Sequence, residues 1–326
     1  MEQDYVVGVD IGAQSAKIGI VDRKGNILLR LDPPLKTNQT EDDKVFLEEL
    51  HQAIKGLIEK AGVSGKIKGI GVGAPNGNYY EGTTVQAANL TWGKDRVVKV
   101  AEVLSKKFGG LRVKLTNDAN AAAEGEMKYG AAIGMKDFIM ITLGTGVGSG
   151  IVVNGQVVYG KDGFAGELGH TVSVRYNGRQ CNCGKTGCLE TYTSAMGIAR
   201  TAREYLDAGF DLGKDKKRSL LRDITEPITS KDIAEAAEKG DALAKAVFEY
   251  TGKKLGESLS DFVAFSAPEA IILFGGVTKA GDLIMEPAKR YMNENMLSLW
   301  KNKVPLIFSK LDESDAAILG ASALAW

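Results

Sequence analysis

A pattern that occurs twice, 132 residues apart, does most to limit what this chain can fold into. The first copy, YVVGVDIGAQSAKIGIVDRKGNILL at 5–29, alternates apolar runs with small-residue turns. It predicts a β-meander: a strand ending at Asp10, a tight turn, a return over Lys17–Val21, and a second turn at Asp22–Gly25. The second copy has a strand at Phe138–Leu143, a turn at Gly144–Gly150, a strand at Ile151–Val153 and a turn at Asn154-Gly155. Asp10 then falls on Thr142, Gly12 on Gly144 and Asp22 on Asn154. Two β-turn-β-turn-β units, each followed by mixed sequence, predict a duplicated α/β architecture. No linker or low-complexity stretch marks a boundary, so the repeat places it. A first domain is expected over 1–116, completed by a C-terminal helix at 314–326, and a second over 117–313.

Bulk properties narrow the function. A chain of 326 residues suits two ordinary domains. Lys+Arg and Asp+Glu are 41 each, so no net positive field favours a nucleic-acid partner. The longest apolar run, FIMITLGTGVGSGIVV, is broken by glycines, which argues against a membrane partner. The opening MEQDYVVGVDIG has no basic segment, apolar stretch and cleavage site, so no signal peptide is expected. All three cysteines lie between 181 and 188, an odd cluster that points to metal rather than disulfides and to a reducing, cytoplasmic setting.

The cysteines are the sharpest local signal. Cys181 and Cys183 are two apart, and Cys188 follows five later across Gly184 and Gly187, which let the loop fold back. Three thiolates supply three ligands of a closed tetrahedral zinc site, and His170 is the nearest fourth. With every position filled, no open site activates water, so the zinc is read as structural. It would pin the segment of Glu167 against that of Glu190. Just upstream, LGTGVGSG puts glycines at 144, 146, 148 and 150, leaving backbone N–H groups open to anionic oxygens. The loop is no P-loop and opens no helix. Its pairing with the hairpin at 10–17 favours phosphate binding over a plain tight turn. Asp10, by itself, reads as a turn carboxylate or as one facing a nucleotide phosphate and its Mg²⁺.

The duplicated meander resembles the actin-like/hexokinase-like superfamily, which implies two actin-like (ribonuclease H-like) α/β domains with ATP in a cleft between them. Around it, 43–61 has apolar residues at 46, 47, 50, 54, 57 and 58 and predicts a helix, on which His51 has no role. GVGAPNG ends a strand in a turn, making Asn76, Asn78 and Asn89 candidate sugar contacts. A helix is expected over 97–109. The segment 111–130 predicts a short strand and a helix capped by Asn117 or Asp118. From 191 to 260 the pattern is helical with polar breaks at 207–219 and 225–230. A buried strand, a GGV turn and a helix follow over 267–292; VPLIFSKL is a last strand, and DAAILGASALAW a closing helix.

VGVDIG, GVGAPNG, NDANAAAEGE, TLGTGVGSGIVVNG, AGELGH, CNCGKTGCLE and LFGGV together resemble the ROK family of sugar kinases and repressors, bacterial glucokinases especially. The resemblance runs over essentially the whole chain. It implies Asp118 as the general base that takes the proton of a sugar 6-hydroxyl. It implies Asn117, Glu167, His170 and Glu190 as ligands of sugar hydroxyls, with His170 also on zinc. Gly144, Thr145, Gly146 and Gly148, with the segment from Asp10 through Gly12, resemble the two phosphate hairpins, and Gly275 and Gly276 the adenosine contact. ATP, Mg²⁺ and a hexose are then the expected ligands, and a homodimer the expected assembly.

One departure stands out. The family reads DIGGT in its first hairpin, whereas this chain has Asp10-Ile-Gly-Ala13-Gln14-Ser15. Gln14 or Ser15 would have to replace the missing hydroxyl, and Lys17 lies beside the turn. An ATP-dependent glucokinase leads. A kinase of N-acetylmannosamine, N-acetylglucosamine, allose or fructose is the second reading, and a non-catalytic sugar-binding protein the third. Repressors of the family carry an added N-terminal helix-turn-helix domain, and with a first hairpin starting by residue 5 none is expected here.

Overall fold

The computed structural model describes residues 4–209, 218–225 and 227–326. The chain packs as two compact units. The first takes Met1–Lys136, Gly150–Gly166 and Ser309–Trp326; the second takes Asp137–Ser149 and Glu167–Phe308.

In the first unit, β1 (Tyr5–Ile11), β2 (Ser15–Asp22) and β3 (Ile27–Arg30) form the expected meander. Asp22 closes its second turn by accepting from Lys24 N at 2.8 Å and Asn26 N at 2.9 Å. A short β4 (Leu35–Lys36) adds to β2. Helix α1 (Asp43–Ala61) is capped by the Asp42 side chain and buries Phe46, Leu47, Leu50, Ile54, Leu57 and Ile58, the stripe that its periodicity predicts. Strand β5 (Ile67–Gly73) precedes a small sheet of β6 (Gly77–Asn78), β7 (Thr83–Val85) and β8 (Val97–Val98). Helix α2 covers Val100–Lys107 rather than 97–109, because Val97 and Val98 pair with β7. Then come β9 (Val113–Thr116) and α3 (Asp118–Tyr129). The main sheet runs β3-β2-β1-β5-β9, with β1, β5 and β9 parallel. One cross-strand row joins Asp10, Gly73 and Thr116 at its carboxyl edge.

The second sheet repeats this plan. Strands β10 (Phe138–Leu143), β11 (Val147–Val153) and β12 (Gln156–Val157) open it. After the cysteine loop come α4 (Glu190–Thr193), α5 (Ala195–Asp207), α6 (Ser230–Glu238), α7 (Ala242–Ser266), β13 (Ala270–Phe274), α8 (Asp282–Asn295) and β14 (Leu306–Phe308). The order β12-β11-β10-β13-β14 matches that of the first sheet strand for strand, and β12 with the last part of β11 is counted with the first unit. Ile139, Ile141 and Leu273 of these strands are buried with Phe248, Leu255 and Leu259 of α7. Of the expected polar breaks, 210–217 and 226 lie outside the described residues.

The chain ends in α9 (Ala316–Ala323), which is apolar on all sides and buried in the first unit. It lies almost against the backbone of the first sheet. A Cβ on Gly8 would sit 2.2 Å from Ile318 O, and one on Gly71 only 1.8 Å from Ala321 O. Helix α3 meets α9 as closely: a Cβ on Gly125 would lie 2.8 Å from Gly320 Cα. This packing places α3 in the first unit, whereas the repeat alone put residue 117 onward in the second.

Candidate active site

Asp10 and Asp118 reach one edge of the first sheet by different routes. Asp10, next to last in β1, stands beside Lys17, its register partner on β2. Asp118 opens α3 just beyond β9, where Asn117 is the N-cap and its Oδ1 accepts from Asn120 N at 2.7 Å. The Asp118 carboxylate accepts from its neighbour Ala119 N at 2.9 Å, well short of satisfying both oxygens. Desolvation by the surrounding protein raises the Asp118 carboxyl above the usual range. Desolvation, then the charge of Asp118, push Asp10 up to about 6 against the opposing pull of Lys17. The first hairpin is braced from outside. Thr37 donates to Gly12 O at 2.7 Å, and Asn38 Nδ2 donates to Gln14 Oε1 at 2.7 Å, which turns part of the Gln14 amide toward Asn38.

The second unit builds the other hairpin. Thr142 Oγ1 accepts from Gly148 N at 3.1 Å, and Gly144 N donates to Gly146 O at 3.0 Å. Gly144 O accepts from Ala195 N at 2.8 Å, which ties the turn to the start of α5. Nothing lies within 4 Å of a side chain begun at Gly144, so internal packing gives no reason for glycine there. Thr145 at the tip is exposed. Glu190, the first residue of α4, accepts from Val147 N at 2.9 Å through Oε2 and from Cys181 Sγ at 3.8 Å through Oε1. A Cβ on Gly146 would lie 2.4 Å from Glu190 Oε2. A cavity of about 260 Å³ opens beside Thr145, Cys181, Glu190 and Ser194. Gly275 sits next to the same hairpin with φ at 105°, a Cβ there falling 2.6 Å from Leu143 O, and Gly276 follows it exposed.

His170 closes a short 3₁₀ turn, Leu168–His170, that follows Glu167 and is fixed where Leu168 N donates to Ser149 Oγ at 3.0 Å. Glu167 Oε2 and His170 Nε2 are 4.0 Å apart. The ligand atoms of His170, Cys181, Cys183 and Cys188 all lie within 4.8 Å of one another. Cys183 and Cys188 sulfurs are 3.6 Å apart, and Cys181 Sγ is 3.8 Å from His170 Nδ1. Zinc–sulfur bonds of about 2.3 Å put tetrahedral edges at about 3.8 Å, so the set fits that ion. Desolvation, with the neighbouring thiols, pushes Cys188 up to about 12, and a divalent cation is what lets several thiolates share such a space.

Thus Asp10, Gly12, Gln14, Lys17, Asn117 and Asp118 gather in the first unit. Thr142, Gly144–Gly148, Glu167, His170, Glu190, Gly275, Gly276 and the cysteines gather in the second. Asn76 spends its amide on Val85 O and Gln86 O at 3.0 and 3.3 Å. Asn78 is buried and bonded to Asp162 O, Tyr80 N and Glu81 N, so it is a brace rather than a ligand contact. Asn89 is exposed in the turn closed by Leu90 N and Ala87 O. Ser149 and Lys185, whose Nζ donates to His170 O at 2.6 Å, support the site with no signature in sequence. Among the described residues no helix is long and apolar enough to cross a membrane.

Known proteins resemble this chain along nearly its whole length. The chain is 35% identical over 322 residues to a glucokinase of Halalkalibacterium halodurans, covering 98% of this chain and 94% of that protein. The structure of a ROK family glucokinase from Streptomyces griseus, solved with glucose and AMPPNP, superposes with a TM-score of 0.77 at 30% identity over 98% of each chain. A ROK family transcriptional regulator, homologous to the E. coli MLC protein, superposes at 0.84 with 25% identity, over 98% of this chain and 77% of the regulator. These neighbours share the two-domain actin-like fold. The model of the ROK family matches residues 6–326, and the chain belongs to that family.

Proposed function

We propose that the protein is an ATP-dependent hexose kinase that transfers the γ-phosphate to a sugar 6-hydroxyl, with glucose as the acceptor. The observation that carries the reading is Asp118. It stands at the carboxyl edge of the parallel strands β1, β5 and β9 with a raised proton affinity and a carboxylate its own fold leaves largely unspent. A carboxylate shifted upward is a better base at neutral pH than an ordinary one. The near-complete coverage of glucokinases such as that of H. halodurans supports the same reading.

Asp118 would take the hydroxyl proton as the alcohol attacks phosphorus. Asn117, through its amide nitrogen, with Glu167, His170 and Glu190, would hold the ring hydroxyls; Asn76 and Asn89 remain proposed contacts at its margin. The bare backbone of Gly144, Thr145, Gly146 and Gly148, with Thr142, would receive phosphate oxygens, joined by Gly12, Gln14 and Lys17. Gly275 and Gly276 would lie along the adenosine. Mg²⁺ carried with the nucleotide would neutralise phosphate charge, and Asp10, an acid held against its own ionisation, suits a cation. Zinc on His170 and the three cysteines would serve as a structural clamp. We place the protein in the cytoplasm as a homodimer.

A second reading has a specific basis. Ala13 and Gln14 replace residues of the family's phosphate hairpin, Gln14 is partly engaged by Asn38, and ROK regulators are close structural neighbours. That reading is a sugar-binding protein without turnover. A coupled assay of ADP release over a hexose panel decides between them. Turnover with glucose above the other sugars is expected. Turnover only with another hexose moves the substrate, and silence with every sugar that nonetheless binds removes the kinase.

A further inference from the structure

We propose that Arg179 is a positioning residue that holds the Glu190 end of the sugar site, separately from the cysteine–histidine clamp. This rests on the sugar-kinase reading. Arg179 lies two residues before Cys181, and its side chain is only 7% exposed. A guanidinium cannot shed its charge, so burial requires acceptors for its donors. They are present. Nη1 donates to Thr191 O at 2.7 Å and Gly197 O at 3.2 Å; Nη2 donates to Thr201 Oγ1 at 2.8 Å and Glu204 Oε2 at 2.5 Å. The guanidinium stacks 4.6 Å from the Tyr192 ring centroid, and the Arg179 backbone N–H donates to Tyr192 OH at 2.8 Å.

Every one of these partners belongs to the α4–α5 stretch that Glu190 begins. Thr191 is the next residue, so Nη1 grips the carbonyl of the residue directly after Glu190. Gly197, Thr201 and Glu204 lie along one face of α5, so the same side chain fixes α4 against α5. The cysteines and His170 shape the loop itself, whereas Arg179 ties that loop to the helix pair. Its planar fork spreads five donors over three nitrogens and reaches acceptors on both helices, where the three donors of a lysine sit on one atom. The Glu190 carboxylate must stay within reach of Val147 N and of a ring hydroxyl, so a loose α4 weakens sugar binding first.

The test is Arg179→Met, which keeps the apolar stem and removes the donors. Glucose affinity is expected to fall about tenfold or more, with the KM for ATP within about twofold. Zinc content by elemental analysis stays at the wild-type level. Amide exchange over 191–197 quickens about tenfold with the metal still bound. Arg179→Lys recovers part of each loss. Thr201→Val, which removes one acceptor without a charge, costs about threefold in glucose affinity and serves if Arg179→Met does not fold. Wild-type exchange in Arg179→Met overturns the proposal, as does loss of zinc together with glucose affinity, which would make Arg179 a support of the metal loop. If the wild-type protein binds no hexose, the kinase reading fails, and the exchange measurement still decides whether Arg179 positions Glu190.

Discussion

Asp10 and Asp118 border the same gap: a side chain begun at Gly73 would lie 3.6 Å from Asp10 Oδ1 and 3.9 Å from Asp118 Cα. Two acids meet where a glycine leaves room, and desolvation together with the charge of Asp118 lifts Asp10 to about 6. In the folded protein Asp10 holds its proton more tightly than in the unfolded chain. Folding stability therefore falls as pH rises from about 4 to about 6, and the full penalty stands above that. Asp10→Asn should stabilise the nucleotide-free protein at pH 7–8 by about 1–3 kcal/mol, with no gain near pH 3–4. Thermal melts across pH check this, and a variant less stable at pH 8 would refute it. The same variant should lose turnover, because the anion is what a nucleotide-bound cation needs.

Asp118→Asn separates the base from the helix end. Asparagine keeps the polar group at the first position of α3 but cannot accept a proton. Turnover should fall by about three orders of magnitude while glucose binding changes by less than about fivefold. In the wild-type protein the raised Asp118 carboxyl should also shape the pH profile. As pH falls, kcat/KM is lost at a pH above the ordinary carboxylate range, because the base protonates early. Near-wild-type turnover in Asp118→Asn would leave Asp118 only a structural role at the start of α3.

Sequence patterning reached the parts of this molecule that repeat or alternate. The meander is read from its turns, α1 from six apolar positions, and the clamp from cysteine spacing with one histidine. What it missed are close approaches between distant segments. Gly8 and Gly71 look like ordinary strand glycines, yet they are bare because α9, more than 240 residues later, rests on them. Asn78 looks like a turn residue facing a ligand, but its amide reaches Asp162, 84 residues on. The placement of α3 with the first unit depends on the meeting of Gly125 and Gly320, which no local period encodes.

The clamp makes a separate prediction. His170 and the three cysteines come from a stretch with little regular structure, and His170 sits on a 3₁₀ turn only three residues long. Such a stretch would draw its order from the zinc proposed for it. Chelation, or Cys183→Ser, should release close to one zinc per chain, raise proteolytic sensitivity over 165–190 and abolish glucose binding. The hydrophobic cores of both units are built from other residues, so most helical signal in circular dichroism should survive. Full glucose affinity after complete metal removal would show that the loop holds its shape unaided.

Gly146→Ala probes the contact between the glycine hairpin and the sugar acid. The added methyl would fall 2.4 Å from Glu190 Oε2, too close for either atom to stay. The Glu190 side chain can swing away, but then its bond from Val147 N at 2.9 Å is lost. Losing one charge-assisted bond costs about 1.5–3 kcal/mol. Because that bond joins the proposed sugar ligand Glu190 to the hairpin proposed for phosphate, both substrates should suffer: KM for glucose and for ATP each rise about tenfold or more. Gly144→Ala is the control, since its methyl would meet no protein atom within 4 Å. There the KM for glucose should hold while that for ATP rises, because only a phosphate would feel the methyl. Steady-state kinetics of the pair separates the two effects. If Gly146→Ala leaves glucose affinity untouched, Glu190 is not tied to the hairpin in the working enzyme.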